Sequence, residues 1–431
     1  MENYSFSKFL NLFLLFFFIL TGTLTSAPPN SYVVPLCRAF SKDLFDANAQ
    51  SYLAPTTKVA NSVTNSAFYH SAYVPKKVNK PYFRISVNGM YGSVIDEMRS
   101  FTPQFPMQEF DLLTALGFVT SQDTAALLNY FLQTLLYQGV VVDKTIVPPA
   151  LASTSLGKGD TYLKLPHSVM VELVKKHPAM PLILKQYPEA AEMIESTVAS
   201  LPEHFTLYGG GDVTHLIAGV PQLEIGSLFG TELLIRFIPS IDLGQYIGKF
   251  HFWGIGLKHS LSQYFFEDKN FDGNSVKRIE PAPVDIALQF VYQNTGLENT
   301  VGVTKANLDA TGNIYNVNLS FSKNFDNMFE VYTGVGYESI YIDGSYKYYL
   351  PHEMQISLGL LKQDPNNPDN WIKDPPEYPG DDQPQTSYVK VNENHIKWTI
   401  GANKNIGPIT IYLDYSISKF NVFTGGLQYR F

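Results

Sequence analysis

Short runs of alternating apolar and polar residues follow one another through the second half of this 431-residue chain. The last run, Asn421 to Phe431, is typical, because Phe423, Leu427 and Tyr429 alternate with polar or small residues. A repeat of two residues places the apolar side chains on one face of a β-strand and the polar side chains on the other. An edge strand of a soluble sheet would show the same pattern, so the rest of the chain has to separate these two interpretations.

Ten runs of this kind can be counted, and each has about the length that a tilted strand needs to cross a bilayer. They are Phe83–Tyr91, Pro221–Ser227, Thr231–Pro239, Lys249–Ser260, Val284–Gln293, Asn313–Phe321, Asn327–Ile340, Asn394–Asn403, Pro408–Ser418 and Asn421–Phe431. An extra hairpin of Ser345–Tyr349 with Met354–Leu360 would make twelve strands, and strands inside the region 93–218 would make fourteen.

The composition separates a membrane barrel from other classes of protein. Aromatic residues make up 14% of the chain and charged residues only 16%, yet the mean hydropathy is −0.06. Strands with apolar residues toward lipid and polar residues toward a lumen give this combination. We therefore predict an all-β fold, a closed antiparallel transmembrane β-barrel of 10–14 strands with a helical insertion between the first and second strands. A soluble β-sandwich is the alternative.

The first 27 residues have the features of a secretory signal peptide. Lys8 precedes the apolar stretch Phe9–Leu20, and Thr25-Ser26-Ala27 offers a small-residue cleavage site. Residues 28–80 are polar, small and compatible with helix, and they are predicted to form either a plug inside the barrel or a loose arm. The barrel domain is predicted to span residues 81–431.

Residues 93–218 interrupt the strand pattern and are predicted to be a largely helical insertion, outside the membrane or in the lumen. Ser121 to Gln138 has helical spacing with Ser121 as its N-cap, and Pro166–Lys176 and Pro188–Ser200 are predicted as two further helices. Gly209 to Asp212 is predicted to be a flexible return into the wall.

The terminal strand resembles the C-terminal strand of bacterial outer-membrane β-barrels. That resemblance implies that Tyr429 and Phe431 form the signal that the barrel-assembly machinery reads. The segments VPQLEIGSLFGTELLIRFIP and FHFWGIGLKHSLSQYF resemble a family of uncharacterised outer-membrane barrels that is distantly similar to the FadL-type transporters of hydrophobic compounds. This second resemblance implies a fold and a location, the cell outer membrane, but no catalytic residue.

In barrels of this kind the final strand runs toward the periplasm, which fixes the side of every other junction. Lys323–Asp326 and Lys404–Gly407 then become short periplasmic turns, whereas 294–312 and 341–393 become long external loops. The segment 261–283 is an exception, because it is long and falls on the periplasmic side.

Period-two alternation also predicts which side chains face the lumen. A charge on the lipid face near the membrane midplane costs about 2–4 kcal/mol for Arg or Lys, so the charged residues of the strands are predicted to point inward. They are Arg84, Glu224, Glu232, Arg236, Lys258, Glu338, Lys397, Asp414 and Arg430. Leu413, Ile411, Trp398 and Val331 are predicted to face lipid. The mixed signs suit a ladder of internal ion pairs, with a selectivity filter as the alternative.

The sequence gives little indication of a catalytic or metal-binding site. The chain has no Gly-x-Ser-x-Gly elbow and no His-Glu-x-x-His helix, and its scattered histidines, which are His204, His215, His251 and His259, are predicted to be solvated. The acidic loop 363–382 lacks the spacing of an EF-hand. With a net charge of −8 and a single cysteine, Cys37, nucleic-acid binding and an intrachain disulfide are excluded. We expect no enzymatic activity, metal or cofactor.

The predicted function is therefore passage or binding of a small solute across the outer membrane, and the resemblance to the FadL-type transporters implies that this solute is hydrophobic. The alternative is a non-conducting structural or surface-binding barrel whose external loops recognise a partner. The expected partners are outer-membrane lipid, the barrel-assembly machinery and the solute.

Overall fold

The chain folds as a closed barrel of ten antiparallel strands, which confirms the predicted fold class at the lowest predicted strand number. The computed structural model describes residues 33–76, 78, 80–121, 124–177, 180, 198, 199, 201–242, 248–266, 282–301, 306–325, 328–348, 355, 356, 361–373 and 385–431. Around the barrel the strands follow the order β1-β16-β15-β14-β11-β10-β9-β8-β7-β6. Their bounds are β1 Tyr82–Ser93, β6 His215–Leu228, β7 Thr231–Asp242, β8 Lys249–Ser260, β9 Asp285–Val301, β10 Ala306–Phe325, β11 Phe329–Tyr348, β14 Gln385–Ile406, β15 Ile409–Ile417 and β16 Val422–Arg430.

The first and last strands of the wall pair with each other and close the barrel. Arg84 lies opposite Arg430, and Gly92 lies opposite Val422. We call the edge at which β1 begins and β16 ends the terminal rim, and the opposite edge, from which residues 94–214 leave, the insertion rim. The terminal strand predicted from the alternation is thus one half of the closing pair.

The inner face of the wall changes character between the two rims. In β14, the inward residues near the terminal rim are polar, such as Lys397 and Thr399, and the outward residues between them, such as Trp398, are apolar. Nearer the insertion rim, Val389 and Val391 point inward instead. We call these two parts of the wall the terminal half and the insertion half.

This reversal explains why the strands are longer than predicted. The segments 294–312 and 341–393, predicted as long external loops, contain most of the additional strand length, because β9 continues to Val301, β11 to Tyr348, and β14 begins at Gln385. A search for apolar residues on the outer face misses these extensions. Residues 302–305, 349–354, 357–360 and 374–384 lie outside the described residues.

The extra strands form small separate sheets. Ser345 to Tyr348 belongs to β11, and the short hairpin nearby is β12 Leu361–Asp364 with β13 Asn367–Lys373, so the predicted twelfth-strand hairpin was wrong. Within the insertion, β2 Ser100–Phe101 pairs with β3 Ala152–Ser153, and β4 Thr161–Lys164 pairs with β5 His204–Leu207. None of these described strands joins the barrel.

The insertion holds three described helices: α2 Leu112–Ser121, α3 Thr124–Tyr137, which continues as one π-helical turn to Val142, and α4 His167–Lys176. Ser121 therefore ends α2, so its predicted role as an N-cap was wrong. The predicted helix 188–200 and the predicted signal peptide 1–27 fall largely or wholly outside the described residues. Gly209 to Asp212 packs closely against the rest of the insertion, where the N–H groups of Gly211 and Asp212 donate to the carbonyl oxygens of Ser155 and Gly157.

A long helix, α1 Val33–Thr64, links the insertion to the barrel. Leu36, Phe40 and Leu44 of its first half pack in an apolar core otherwise built from insertion residues such as Leu136 and Phe205. Ala49, Leu53 and Ala54, further along, pack against inward residues of β10, β11 and β14 in the insertion half. The chain then continues toward the terminal rim, where the Ser227 hydroxyl hydrogen-bonds the Pro75 carbonyl oxygen. We call residues 49–75 the lumenal segment.

Candidate functional site: the lumen and the seam between two strands

Eight of the nine charges predicted to face the lumen are buried on the inner face of the wall, and Arg430 is half-buried at the terminal rim. Four of them meet in one network. The Arg84 guanidinium lies 3.2 Å from a Glu224 oxygen and 3.1 Å from a Glu232 oxygen, and Lys258 Nζ lies 2.7 Å from the other Glu232 oxygen. Two cations and two anions thus neutralise one another beside the lumenal segment.

A second network lies on β11 and β14. Lys397 Nζ is 2.6 Å from one Glu338 oxygen, and His395 Nε2 is 2.5 Å from the other. Asn316 donates a further hydrogen bond to Glu338 over 3.0 Å. Because each carboxylate oxygen has a nitrogen partner, this buried charge does not remain uncompensated.

Asp414 belongs to neither network. It accepts a hydrogen bond from the Tyr332 hydroxyl over 3.0 Å, and Tyr332 in turn packs edge-on against Tyr69 of the lumenal segment. Asp414 is therefore linked to the lumenal segment through the side chain of Tyr332.

The lumenal segment is attached to these wall residues through its backbone. Lys397 Nζ donates to the Asn65 carbonyl oxygen over 2.8 Å. Arg236 donates through its two terminal nitrogens to the carbonyl oxygens of Thr64, Ser66 and Ala67, over 3.0, 2.6 and 2.6 Å. The last carbonyls of an α-helix have no partner within the helix, and they form the negative end of the helix dipole. Two buried cations of the wall satisfy that end of α1.

Arg236, like Asp414, is a buried charge whose hydrogen-bond partners are uncharged. Its Nε donates to Gln222 Oε1 over 2.8 Å, and its guanidinium lies 4.3 Å from the centroid of the Phe68 ring. Among the described residues, no carboxylate forms an ion pair with it. The lumenal segment thus supplies most of the groups that stabilise this cation.

Nearer the terminal rim, the lumenal segment makes contacts that the sequence did not indicate. The Ser71 hydroxyl donates to Glu330 over 2.6 Å, and His70 Nε2 lies 3.0 Å from Gln428 Oε1. Glu330 has the same strand parity as Glu338, so alternation could have identified it as inward. His70 lies outside any strand, and no periodicity in the sequence predicts its position.

The pairing of β6 with β7 ends before either strand does. Gln222 lies opposite Arg236, and from there toward the insertion rim residues 215–221 pair with β1 only, within the described residues. Residues 237–242 likewise pair with β8 only, with a bulge between Ile238 and Ile241. We call this unpaired stretch, 215–221 beside 237–242, the seam. Pro221 and Pro239 lie within it, and proline has no N–H to donate to a sheet.

The lumen behind the seam is apolar. Val220 of β6 and Ile238 of β7 belong to one buried cluster with Val59 and Val63 of the lumenal segment. The remaining members are Ala67 of the lumenal segment, Met90, Phe252 and Val422 of the strands, Phe420 between β15 and β16, and Val94 and Leu156 of the insertion. The seam therefore separates the outer surface from an apolar lining instead of from the charged part of the lumen.

A row of aromatic rings crosses the outer face of four neighbouring strands. The ring centroids of Trp253, Tyr292, Tyr315 and Tyr341 lie 5.4, 5.2 and 6.2 Å apart in succession. On the terminal side of the row the outer face is apolar, and on the insertion side it carries polar residues such as Asp343. Phe325, ten positions along β10 from Tyr315, lies near the other rim, which corresponds to about 25 Å for a tilted strand, the height of the apolar band of outer-membrane barrels.

The predicted assembly-signal residues and the scattered histidines can also be located. Tyr429 and Phe431 are exposed on the outer face at the terminal rim, with their ring centroids 5.0 Å apart. The four histidines lie in three strands: His204 in β5, His215 in β6, and both His251 and His259 in β8. Asp212 pairs with Arg99 and Lys158 of the insertion.

In the described part of the chain, no three side chains of His, Cys, Asp or Glu are grouped so that they could hold a metal ion. No described helix is long and apolar enough to cross a membrane.

Comparison with known proteins gives a family and three distant structures. A model for a family of unknown function (DUF6588) matches residues 6–431. No curated protein is similar enough in sequence to be matched to the chain. Ail, the attachment invasion locus protein of Yersinia pestis, is 11% identical over 47% of this chain and 97% of its own, with a TM-score of 0.21.

The translocator domain of the autotransporter NalP from Neisseria meningitidis is 8% identical over 91% of this chain and 99% of its own, with a TM-score of 0.20. A mutant Rh. blastica porin is 8% identical over 52% and 94%, with a TM-score of 0.15. We base no conclusion on scores this low. The barrel assignment comes from the closed strand ladder described above.

Proposed function

Because the chain belongs to a family of unknown function (DUF6588), we infer its role from its own geometry, and we propose an outer-membrane barrel that takes up a small hydrophobic solute. In this proposal the lumenal segment, residues 49–75, is the plug of the barrel, and the state described above is closed. The outer location is supported by the aromatic row and the apolar band beside it, because aromatic girdles flank the lipid-facing band of outer-membrane barrels.

The observation that carries the proposal is the apolar cluster behind the seam. The inner face of the wall in the terminal half is lined with charges and amides. Besides the seam, residues 385–397 of β14 also pair on one side only, with β11. At the seam, two strands with unpaired backbone lie between an apolar outer surface, represented by Ile217 and Phe237, and the apolar residues Val220 and Ile238 inside. A hydrophobic molecule could pass there without being exposed to water or to the buried ion pairs.

The closed state follows from the contacts of the lumenal segment. Val59 and Val63 occupy the space that the solute would need, and Arg236 and Lys397 hold the backbone of the segment at that depth. Uptake therefore requires the segment to move away from the cluster. Salt and small polar solutes should pass poorly through the resting protein.

The test is binding of a tritiated long-chain fatty acid, used as a hydrophobic probe, to the purified full-length protein in a non-ionic detergent. Val220→Ser and Ile238→Ser should each weaken binding at least about tenfold, since a hydroxyl in an apolar site loses its hydrogen bonds to water. Ile340→Ser is the matched control, because Ile340 is equally buried but belongs to the apolar cluster on the opposite wall.

Saturable binding that all three variants weaken equally would show that the seam is not the site. Absence of saturable binding to the wild-type protein would contradict the proposal. That result would support the second candidate, a non-conducting barrel that binds a partner at its surface. The observation that favours this candidate is the insertion, which has its own apolar core and exposes Leu113 and Val147.

A further inference from the structure

We propose that Arg236 couples the position of the lumenal segment to the opening of the seam. When the segment is in place, Arg236 holds the last β6–β7 pair together; when it withdraws, that pair is released. This inference rests on the proposed function, because it assigns the residue that would regulate uptake at the seam.

The first half of the coupling is the position of Arg236 in the wall. It lies directly opposite Gln222 in the final pair of the β6–β7 ladder, next to the point where the strands part. Its Nε donates to Gln222 Oε1 across that pair. This hydrogen bond thus holds β6 and β7 together at the point where their pairing ends and the seam begins.

The second half is the contact with the lumenal segment. The two terminal nitrogens of Arg236 are occupied by the carbonyl oxygens of Thr64, Ser66 and Ala67, and the flat guanidinium lies on the Phe68 ring. Only the planar fork of arginine can donate in these directions at the same time. The same side chain therefore bonds to the plug and to the seam.

Removing the segment changes the electrostatics of this cation. Arg236 would lose at least three acceptors that face its charge, and it would be left in the wall with no carboxylate in contact. The nearest acid that the hydrogen bonds reach is Glu224, which accepts from Gln222 Nε2 over 2.7 Å. A cation that loses its partners is strongly destabilised until it finds new ones or meets water. Reorientation of Arg236 toward Glu224 would displace Gln222 and break the last pair.

Lys397 provides an internal control for this mechanism. It donates to the same part of the segment, at Asn65, but it lies on β14, away from β6 and β7, and it is neutralised by Glu338. Loss of Lys397 should loosen the plug without removing a hydrogen bond of the seam, so it should open the seam less than loss of Arg236. Loss of Arg236 removes a plug anchor and the bond to Gln222 together.

The experiment uses thiol labelling in proteoliposomes, with no solute present. Native Cys37 is fully buried, and burial raises the pKa of its thiol to about 12, so it is replaced by Ala only to remove background. A single cysteine is placed at Val220, behind the seam, and is labelled with a lipid-soluble maleimide. In a second background a cysteine at Val63 of the lumenal segment is labelled with a water-soluble maleimide.

Arg236→Gln should increase the rate of labelling at position 220 about tenfold, because hydrogen bonds made by a charged group are lost at the seam. Lys397→Gln should increase labelling at position 63, but it should increase labelling at position 220 by a clearly smaller factor than Arg236→Gln. Equal increases in the labelling rate at position 220 in the two variants would show that Arg236 only anchors the plug. An unchanged rate in Arg236→Gln would overturn the coupling.

Heat-modifiable gel migration shows for each variant that the barrel is folded. Should Arg236→Gln fail to fold, Arg236→Lys decides the question, because it keeps the charge but lacks the fork. We expect it to raise labelling at position 220 by a smaller factor, and wild-type behaviour would contradict the proposal. Since no solute is used, failure of fatty-acid binding and failure of the coupling are separate results.

Discussion

The terminal half and the insertion half of the barrel wall are made from the same strands but have opposite inner faces. In the terminal half, charges and amides point inward and apolar side chains point outward. In the insertion half, Ile340, Ile342, Val389 and Val391 point inward against α1, whereas Asp343 and Lys390 point to the exterior. The aromatic row lies where the outer face changes.

The difference shows that strand periodicity alone does not determine which face is buried; the solvent on each side does. Where the outer surroundings are hydrocarbon, polar groups are tolerated only inside. Where the outer surroundings are water, the inside can hold an ordinary apolar core, and here α1 supplies its other half. One continuous strand can satisfy both conditions because each solvent acts on a separate stretch of it.

The largest effect should come from a charge in the core of the insertion half. Ile342→Lys places a cation among apolar side chains without a partner, which should cost about 3–5 kcal/mol. Asp343→Ala, one residue away on the outer face, removes only an exposed pair with Lys390 and should cost less than about 1 kcal/mol. Urea unfolding midpoints in lipid vesicles measure both. Similar losses of stability in the two variants would mean that the reversal of the inner and outer faces does not contribute to the stability of the barrel.

An intermediate effect is expected on the outer face. Leu413→Arg in the terminal half should destabilise the folded barrel by about 2–4 kcal/mol, because the charge would face hydrocarbon. Tyr388→Arg, on the outer face of the insertion half, should change stability by less than about 0.5 kcal/mol. The same refolding assay applies. A small cost at position 413 would place that residue outside the lipid.

The smallest effect concerns pH and the apolar core that continues from α1 into the insertion. His177 lies between the rings of Phe110 and Phe131, with centroid distances of 4.7 and 4.9 Å. Burial lowers the pKa of His177 from 6.5 to about 4, so the folded state prefers the neutral imidazole. Its contribution to stability is complete above pH 6.5 and decreases as the pH falls toward 4, reaching a loss of about 2 kcal/mol at pH 5.

Limited proteolysis of the insertion at pH 7 and pH 5 measures this effect. The wild-type insertion should be cut faster at pH 5, and His177→Phe should reduce the difference. A pH dependence that persists in full in the variant would assign the titration to another group. The ion pairs of the lumen are separate from this assay, because the protease acts outside the barrel.

The success of prediction from the sequence differs between the same two halves of the wall. Alternation predicted the strands of the terminal half and the inward direction of their charges, because one rule, apolar toward lipid, governs that region. It missed the extensions to Val301 and Tyr348, where the rule reverses. It also could not predict that Arg236 is satisfied by carbonyl oxygens, because Thr64 and Ala67 are about 170 positions away in the chain and carry no distinctive side chain.

The path of α1 constrains the order in which the protein can be made. The chain passes through the whole lumen, from the core of the insertion to Pro75 at the terminal rim, and only then enters β1, the strand that pairs with β16. A finished cylinder could receive this segment only if the bulky end of α1 were pulled through it. We therefore expect β1 and β16 to pair last, after α1 is in place, so that the wall closes around the lumenal segment.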